Sequence, residues 1–239
     1  MTMHSETIAD LQRSVLAANL ELVEAGLVLF TFGNASGVDR DSKQIVIKPS
    51  GVDYAKLRAE DMVVCSLDGK LASGSLRPSS DLDTHLHLYR EFAEIGAVVH
   101  THSTYATAWA QAGREIPAYG TTHADYFHGP IPVTADLTDE EIDGDYVLNT
   151  GKQITRRFLG VTPPLDPLAI PGVLVRGHAP FAWGRTPAEA AHNAIVLEAV
   201  AQMAFLTTTL QLGCPPVSQA LLDRHYQRKH GPKATYGQG

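Results

Sequence analysis

The chain has 239 residues, of which 44% are hydrophobic and 19% are charged, and its formal net charge at pH 7 is −7. The negative charge argues against a general polyanion binder, although it is compatible with a local basic pocket for a small phosphate. The two cysteines, Cys65 and Cys214, have no paired spacing, so we expect neither a disulfide framework nor a thiolate zinc site.

The predicted elements alternate between helices and strands along the chain. An amphipathic helix is predicted over residues 6–25, with Gly26 placed to end it as a C-terminal cap. Apolar runs bounded by turn residues then predict strands at 27–32, 45–47, 62–67, 97–101 and 173–175. A second helix is predicted to start at Ser79-Ser80-Asp81 and to run to about residue 94.

A long helix near the C-terminus is the best-marked element. Thr186 is a natural N-cap, Pro187 suits the first helical position, and Glu189 completes a capping box. This helix is apolar around much of its circumference, which predicts burial against a sheet or a partner subunit. Between the strands and this helix, residues 136–170 mix short helical pieces with a proline-containing loop.

These patterns favour one α/β domain over residues 1–239, because no internal repeat or low-complexity linker interrupts them. The N-terminus has no apolar signal-peptide core, and we find no charge-free apolar run long enough to span a bilayer. A cytoplasmic protein is therefore expected.

Three histidines suggest a metal site. His100 and His102 end an apolar run, and on a β-strand side chains two residues apart leave the same face. His178 follows a second apolar run and is the candidate third ligand. Three imidazoles with an open fourth position are typical of a catalytic zinc site, although cobalt, nickel and manganese also suit imidazole. The alternative is that each is a surface or hydrogen-bonded core histidine.

Two short polar motifs suggest a site for an anion. Lys48-Pro49-Ser50-Gly51 is a turn that exposes its backbone, and Ser79-Ser80-Asp81 places hydroxyls and free amides at a helix N-terminus. Ordinary turn chemistry and helix capping explain either motif alone. Asp81 has two interpretations, as an acidic residue of the first turn or as a base or fourth ligand at the metal.

Two further segments are dense in groups that can transfer protons. Residues 120–127 are predicted to form a loop, where functional residues concentrate. Residues 223–238 combine basic, histidine and tyrosine side chains, and the alternative for such a charged terminus is a solvated tail.

Taken together, the motifs resemble the class II aldolase/epimerase family over nearly the whole chain. The resemblance rests on residues 31–36, 47–54, 78–81, 99–103, 120–127, 180–184 and 226–238. It implies a three-layer α/β/α sandwich around a mostly antiparallel mixed sheet. The C-terminal segment points to the branch of the family that epimerises C4 of a pentulose 5-phosphate.

The resemblance also implies roles for individual residues. It assigns zinc to His100, His102 and His178, with Asp81 beside or on the metal. Substrate and phosphate contacts fall on Gly33, Asn34, Ser50, Gly51, Ser79 and Ser80. Proton transfer falls on Asp125 and Tyr236, which would reach the metal site of an adjacent subunit in a homotetramer, so that residues 223–239 contribute to the active site.

The implied reaction is the interconversion of L-ribulose 5-phosphate and D-xylulose 5-phosphate by cleavage and re-formation of the C3–C4 bond. One alternative is an aldolase that acts on fuculose or rhamnulose 1-phosphate, but those enzymes typically carry glutamate at the position of Asp81. Another is a non-catalytic adducin-like interaction module, against which the three histidines argue. The sequence does not distinguish arabinose from ascorbate breakdown as the pathway served.

Overall fold

The computed structural model describes residues 7–232 and residue 234. The β-strands in these residues are β1 Asn34–Asp39, β2 Gln44–Ile47, β3 Val63–Ser66, β4 Leu71–Ser73, β5 Ala97–His100, β6 Gly172–Leu174 and β7 Pro180–Gly184. The α-helices are α1 Ile8–Glu24, α2 Leu82–Glu91, α3 Thr104–Gln111, α4 Thr121–Ala124, α5 Asp139–Asp143, α6 Tyr146–Leu159, α7 Pro187–Leu210 and α8 Gln219–His230.

The strands form one seven-stranded sheet in the order β4-β3-β2-β1-β5-β7-β6. Every pair of neighbouring strands is antiparallel. A parallel pairing occurs only as the isolated bridge between Val133 and Leu174, within the part of the chain that the structure describes. The expectation of a mostly antiparallel sheet is confirmed.

Helices cover both faces of this sheet, as two adjacent residues of β1 show. The position of Gly37 faces α1 and α7, because a Cβ atom there would lie 2.7 Å from Leu11 Cδ1 and 3.2 Å from Pro187 Cγ. Ser36 points the other way, and its hydroxyl bonds to His85 and Tyr89 of α2. Since α6 packs on α2, the predicted three-layer α/β/α arrangement is confirmed.

The ends of the two long helices follow the predicted capping signals. Helix α1 begins after Thr7, which forms a capping box with Asp10, and the chain turns at Gly26 with φ 71°. Helix α7 begins after Thr186, whose hydroxyl accepts a bond from Glu189 N at 3.2 Å. The Glu189 carboxylate accepts from the backbone N–H of Arg185, so the predicted box closes one residue earlier than expected.

Helix α7 packs against β5 and β7, in the position of a core helix. Among the described residues it is the helix that is long and apolar enough to cross a membrane by length and composition. It carries two carboxylates, Glu189 and Glu198, which is why no charge-free run stands out over its length in the sequence.

The sequence analysis differs from the structure in several details, among them α4, which lies in the predicted loop 120–127, and β1, which was not predicted. The strand predicted at 27–32 is an irregular segment, because a turn joins Leu29 O to Phe32 N and Phe30 adopts φ 53°. Strand β7 was not predicted, since its proline and glycine ends resemble turn residues. Within residues 136–170, α6 has 14 residues and is longer than the short pieces expected.

Candidate metal centre

Three imidazoles meet where β5 and the β6–β7 turn come together. His100 is the last residue of β5, His102 follows two residues later, and His178 lies in the turn after β6. Their candidate ligand atoms all lie within 4.8 Å of one another. The Nε2 atoms of His100 and His102 are 3.1 Å apart. This is the convergence that the sequence suggested.

A backbone carbonyl fixes which nitrogen of His100 carries its proton. His100 Nδ1 lies 3.0 Å from the carbonyl oxygen of Pro180, and a carbonyl can only accept. Nδ1 is therefore the donor, and the lone pair of Nε2 faces the other histidines. Such an outer hydrogen bond is the usual way to orient a ligating histidine. The Tyr146 hydroxyl lies 3.4 Å from Nδ1 of His178, where it can accept in the same way.

The three histidines are neutral at physiological pH. Burial lowers the pKa of His100 to about 3, although the carboxylate of Asp81 opposes the shift. Burial also lowers the pKa of His102 and of His178. Neutral imidazoles keep the lone pairs that a metal ion requires.

Asp81 lies beside these three histidines as an ionised carboxylate that lines the same cavity. It is the N-cap of α2, and Asn34 Nδ2 donates to its Oδ2 at 2.6 Å. Burial would raise the pKa of Asp81, but its surroundings, which include the hydrogen bond from Asn34, hold it below its usual value. Three neutral imidazoles beside one carboxylate form a donor set that fits a divalent cation.

These side chains open into a cavity of about 470 Å³, which we call the histidine cavity. Every residue predicted to bind substrate or metal lines it. These residues are Gly33, Asn34, Ser50, Gly51, Ser79, Ser80, Asp81, His100, His102 and His178. Residues predicted from five separate segments of the chain therefore line one cavity.

Backbone geometry explains two features of the lining. Gly33 has φ 76°, which favours glycine. A Cβ atom there would lie 2.9 Å from the carbonyl oxygen of His100, so a side chain would clash with the end of β5. Two hydrogen bonds join the polar motifs: Ser50 N donates to Arg77 O at 2.9 Å, and Ser79 N donates to Lys48 O at 3.0 Å. The two predicted anion-binding motifs are therefore neighbours.

Lys48 is a lining residue whose role the sequence analysis missed. It is only 2% exposed, and its Nζ contacts the carbonyl oxygens of Thr31 and Pro49 and the ring of Tyr54. In the described part of the chain, no carboxylate lies within 4.0 Å of this amine. A buried cation bound only to neutral groups is suited to an anionic ligand. Its position directly after the buried strand β2 was the available signal.

Asp125 lies elsewhere, among residues of α8 that we call the Asp125 cluster. Its Oδ1 is 2.9 Å from His225 Nδ1, and its Oδ2 is 3.0 Å from Arg228 Nη2 and 3.9 Å from Lys229 Nζ. His230 Nε2 donates to its backbone oxygen at 2.9 Å. Burial would raise the pKa of Asp125, but the hydrogen bonds from Arg228 and His225 keep it below its usual value. Asp125 does not line the histidine cavity of its own chain.

Tyr236, the other residue predicted to transfer protons, lies outside the described residues.

Fold and site together define a class of protein. The pattern of the class II aldolase and adducin N-terminal domain family matches residues 13–205, and the chain belongs to this family. The protein named L-ribulose-5-phosphate 4-epimerase UlaF from Salmonella paratyphi A is 52% identical over 228 residues, which are 95% of this chain and 98% of that protein. The protein of the same name from Salmonella typhi matches equally well.

Solved structures give the same fold. An L-fuculose 1-phosphate aldolase superposes with a TM-score of 0.76 at 24% identity, over 95% of this chain and 97% of that one. The L-fuculose-1-phosphate aldolase from Thermus thermophilus has a TM-score of 0.66 at 25% identity, over 86% of this chain and 98% of that one.

Proposed function

We propose that this chain is a metal-dependent L-ribulose-5-phosphate 4-epimerase, which interconverts L-ribulose 5-phosphate and D-xylulose 5-phosphate. The observation that carries the proposal is a single cavity that joins a metal-ligand set to the buried amine of Lys48. The 52% identity to the UlaF epimerases extends over nearly the whole chain. The likeness to the first fuculose aldolase is one of fold.

We infer that the metal is zinc, bound by His100, His102 and His178 with Asp81 beside or on it. A tetrahedral site with three imidazole ligands and an open position is typical of catalytic zinc. When bound, the metal supplies Lewis-acid stabilisation for the negative charge that develops on the sugar oxygens.

The reaction requires cleavage of a carbon–carbon bond. C4 is not adjacent to the C2 carbonyl, so its hydrogen is not acidic enough for direct removal and return. Instead a base takes the proton of the C4 hydroxyl, and the electrons of the C3–C4 bond move into the C2–C3 fragment. Glycolaldehyde phosphate forms inside the cavity and presents its other face. C3 then attacks the aldehyde carbon, and the new alkoxide takes a proton from the opposite side.

This pair of reaction steps requires one proton-transferring group on each side of the aldehyde. We assign these roles to Asp125 and Tyr236. The Asp125 carboxylate is ionised at neutral pH through its hydrogen bonds to Arg228 and His225, as a base must be.

The aldehyde must stay bound between cleavage and recombination. We assign its phosphate to Lys48, to the backbone and hydroxyls of Ser50-Gly51 and Ser79-Ser80, and to Gly33-Asn34, all of which line the histidine cavity. Their binding energy holds the aldehyde near C3 while it turns, so it serves orientation as well as affinity.

Asp125 can serve this reaction if it acts on the cavity of a neighbouring subunit. We therefore propose a homotetramer with active sites between subunits, to which residues 223–239 contribute. A cytoplasmic location stays a prediction of the sequence.

The test supplies L-ribulose 5-phosphate to metal-stripped protein and to the same protein restored with zinc. We expect D-xylulose 5-phosphate only with metal, and little free glycolaldehyde phosphate. Free aldehyde released without xylulose product would indicate an aldolase instead. Absence of turnover with zinc, cobalt, nickel and manganese would indicate a non-catalytic interaction module.

A further inference from the structure

A buried polar seam runs from the metal centre into the core between α2 and β1. Asp81, His85 and Tyr89 are spaced four residues apart, so they share one face of α2. Asn34 and Ser36 share one face of β1. The contacts match in order: Asn34 Nδ2 bonds Asp81 at 2.6 Å, and Ser36 Oγ lies 2.7 Å from both His85 Nδ1 and the Tyr89 hydroxyl.

The hydroxyls of this seam determine the tautomer of His85. Burial raises the pKa of Tyr89, so its hydroxyl keeps its proton. The Tyr89 hydroxyl lies within hydrogen-bond distance of the Ser36 hydroxyl. If Tyr89 donates to Ser36, then Ser36 must donate its own proton onward to His85 Nδ1. Nδ1 is then the acceptor, and the proton of His85 lies on Nε2.

This assignment leaves two complementary buried atoms without partners. His85 is fully buried, and its Nε2 has no hydrogen-bond partner among residues 7–232 and 234. Asn34 is 2% exposed, and within the same residues its Oδ1 also has none. One is a donor and the other is an acceptor, and leaving a buried polar atom unpaired is destabilising. Exchanging the oxygen and nitrogen of Asn34 would not help, because two acceptors would then face each other at Asp81.

Both residues interact with Asp81. Asn34 is bonded to its carboxylate, and the His85 imidazole and that carboxylate interact electrostatically. The His85 ring centroid is also 6.1 Å from that of Phe181, which stacks on His100 at 4.2 Å. His85 therefore sits directly behind the metal centre, although its imidazole is not one of the converging ligands.

We propose that His85 is a positioning residue for Asp81, acting through one buried water that accepts from Nε2–H and donates to Asn34 Oδ1 and to the Asp81 carboxylate. A water with three such bonds is typical of polar protein interiors. The bonds would satisfy both unpartnered atoms and would hold Asp81 facing the histidines. The inference rests on the metal centre of the proposed function, and it extends the site to Ser36 and Tyr89.

Two substitutions separate this role from simple packing. In His85→Asn the side-chain oxygen can still accept from Ser36, but no donor reaches the position of Nε2. In His85→Gln a donor reaches that position, but the bond to Ser36 is lost. A positioning role predicts tighter metal binding in the glutamine variant, whereas a packing role predicts that the asparagine variant is the better of the two in every measurement.

The experiment measures Zn²⁺ affinity by competition with a chelator, the visible absorption spectrum of bound Co²⁺, and the thermal unfolding of the metal-free full chain. We expect His85→Asn to bind Zn²⁺ about tenfold more weakly and to change the Co²⁺ spectrum. His85→Gln should keep affinity and spectrum close to those of the wild type, although its metal-free form should be no more stable than that of His85→Asn.

Wild-type affinity and spectrum in His85→Asn would overturn the proposal, as would equal losses in both variants that follow their unfolding temperatures. These readouts require bound metal and not turnover. A wild-type protein that binds Zn²⁺ without epimerising its substrate would refute the proposed function alone, and the two variants would still test the role of His85.

Discussion

The histidine cavity and the Asp125 cluster both concentrate titratable groups, but they balance charge in opposite ways. In the cavity, the ligand atoms of three neutral imidazoles converge beside the Asp81 carboxylate. In the cluster, the Asp125 carboxylate already has cationic and imidazole partners from α8. The first arrangement suits a cation from outside the chain, whereas the second stabilises the ionised form of one side chain.

The two regions also differ in how the fold holds them. The candidate metal ligands of the cavity come from the end of β5, from the β6–β7 turn and from the start of α2, and β5, β6 and β7 belong to one sheet. The Asp125 cluster depends on the packing of two helices, the short α4 and the late α8. If the proposed roles are right, metal binding and proton transfer should therefore be separable by mutation.

The largest effect should come from removing a ligand. His100→Ala should lose the metal and lower kcat by about 10³-fold or more, because the Lewis acid is worth several kcal/mol of transition-state stabilisation. Metal content by mass spectrometry and turnover of L-ribulose 5-phosphate measure both effects. His123→Gln replaces another buried histidine, one outside the cavity, and should keep its metal. A full complement of metal in His100→Ala would refute the assignment.

The next effect should separate the two regions. Asp125→Asn should lower kcat by about 10²-fold to 10³-fold, as expected for loss of an acid/base group, while metal content stays at the wild-type level. Asp61→Asn is the matched control and should keep both kcat and metal, since Asp61 is a similarly buried carboxylate paired with Arg58 outside the cavity. If Asp125→Asn lost metal as His100→Ala is expected to, the two regions would not be separable.

The sequence predicted the parts of the site that depend on local patterns. The two-residue spacing at the end of a strand predicted that His100 and His102 converge, although His102 lies just beyond the end of β5. The capping signals located the starts of α2 and α7. The cavity residues themselves were reached through the motifs of a known family. Such motifs are short, and each one specifies its own local backbone.

Long-range packing explains what the sequence did not reveal. Lys48 looks like an ordinary turn lysine until Thr31, Pro49 and Tyr54 enclose it. Strand β7 is defined by its pairing with β5, where Phe181 lies opposite His100, and not by its proline-containing sequence. The seam from Tyr89 to Asp81 arises only when α2 lies across β1, which no single segment encodes.

An intermediate effect concerns stability and pH beside the Asp125 cluster. His123 is buried, its Nε2 donates to Gly129 O at 2.7 Å, and burial lowers its pKa to about 4. Below about pH 6.5 the unfolded chain binds a proton at this residue that the folded chain does not. Its contribution to stability is therefore complete above pH 6.5 and decreases as the pH falls towards 4.

Urea unfolding of metal-free protein at pH 7 and pH 4 measures that contribution. His123→Gln removes the titrating group, so the difference in unfolding free energy between the two pH values should shrink by at most about 3 kcal/mol. Metal-free protein is required, because the cavity histidines would otherwise add metal release to the pH dependence. An unchanged difference in the variant would mean that His123 titrates alike in the folded and unfolded chains.

The smallest effect tests how the Asp125 carboxylate is held. The Arg228 side chain is 43% exposed, and pairs with such exposure contribute up to about 1 kcal/mol. Arg228→Gln should therefore lower kcat by less than about tenfold and leave metal content unchanged, because His225 and Lys229 still face Asp125. Arg156→Gln, which breaks an exposed pair with Glu141, is the control and should leave kcat unchanged. A loss of kcat in Arg228→Gln as large as that in Asp125→Asn would mean that the guanidinium itself acts on the substrate. The Asp125 cluster would then be a binding site and not a support for one carboxylate.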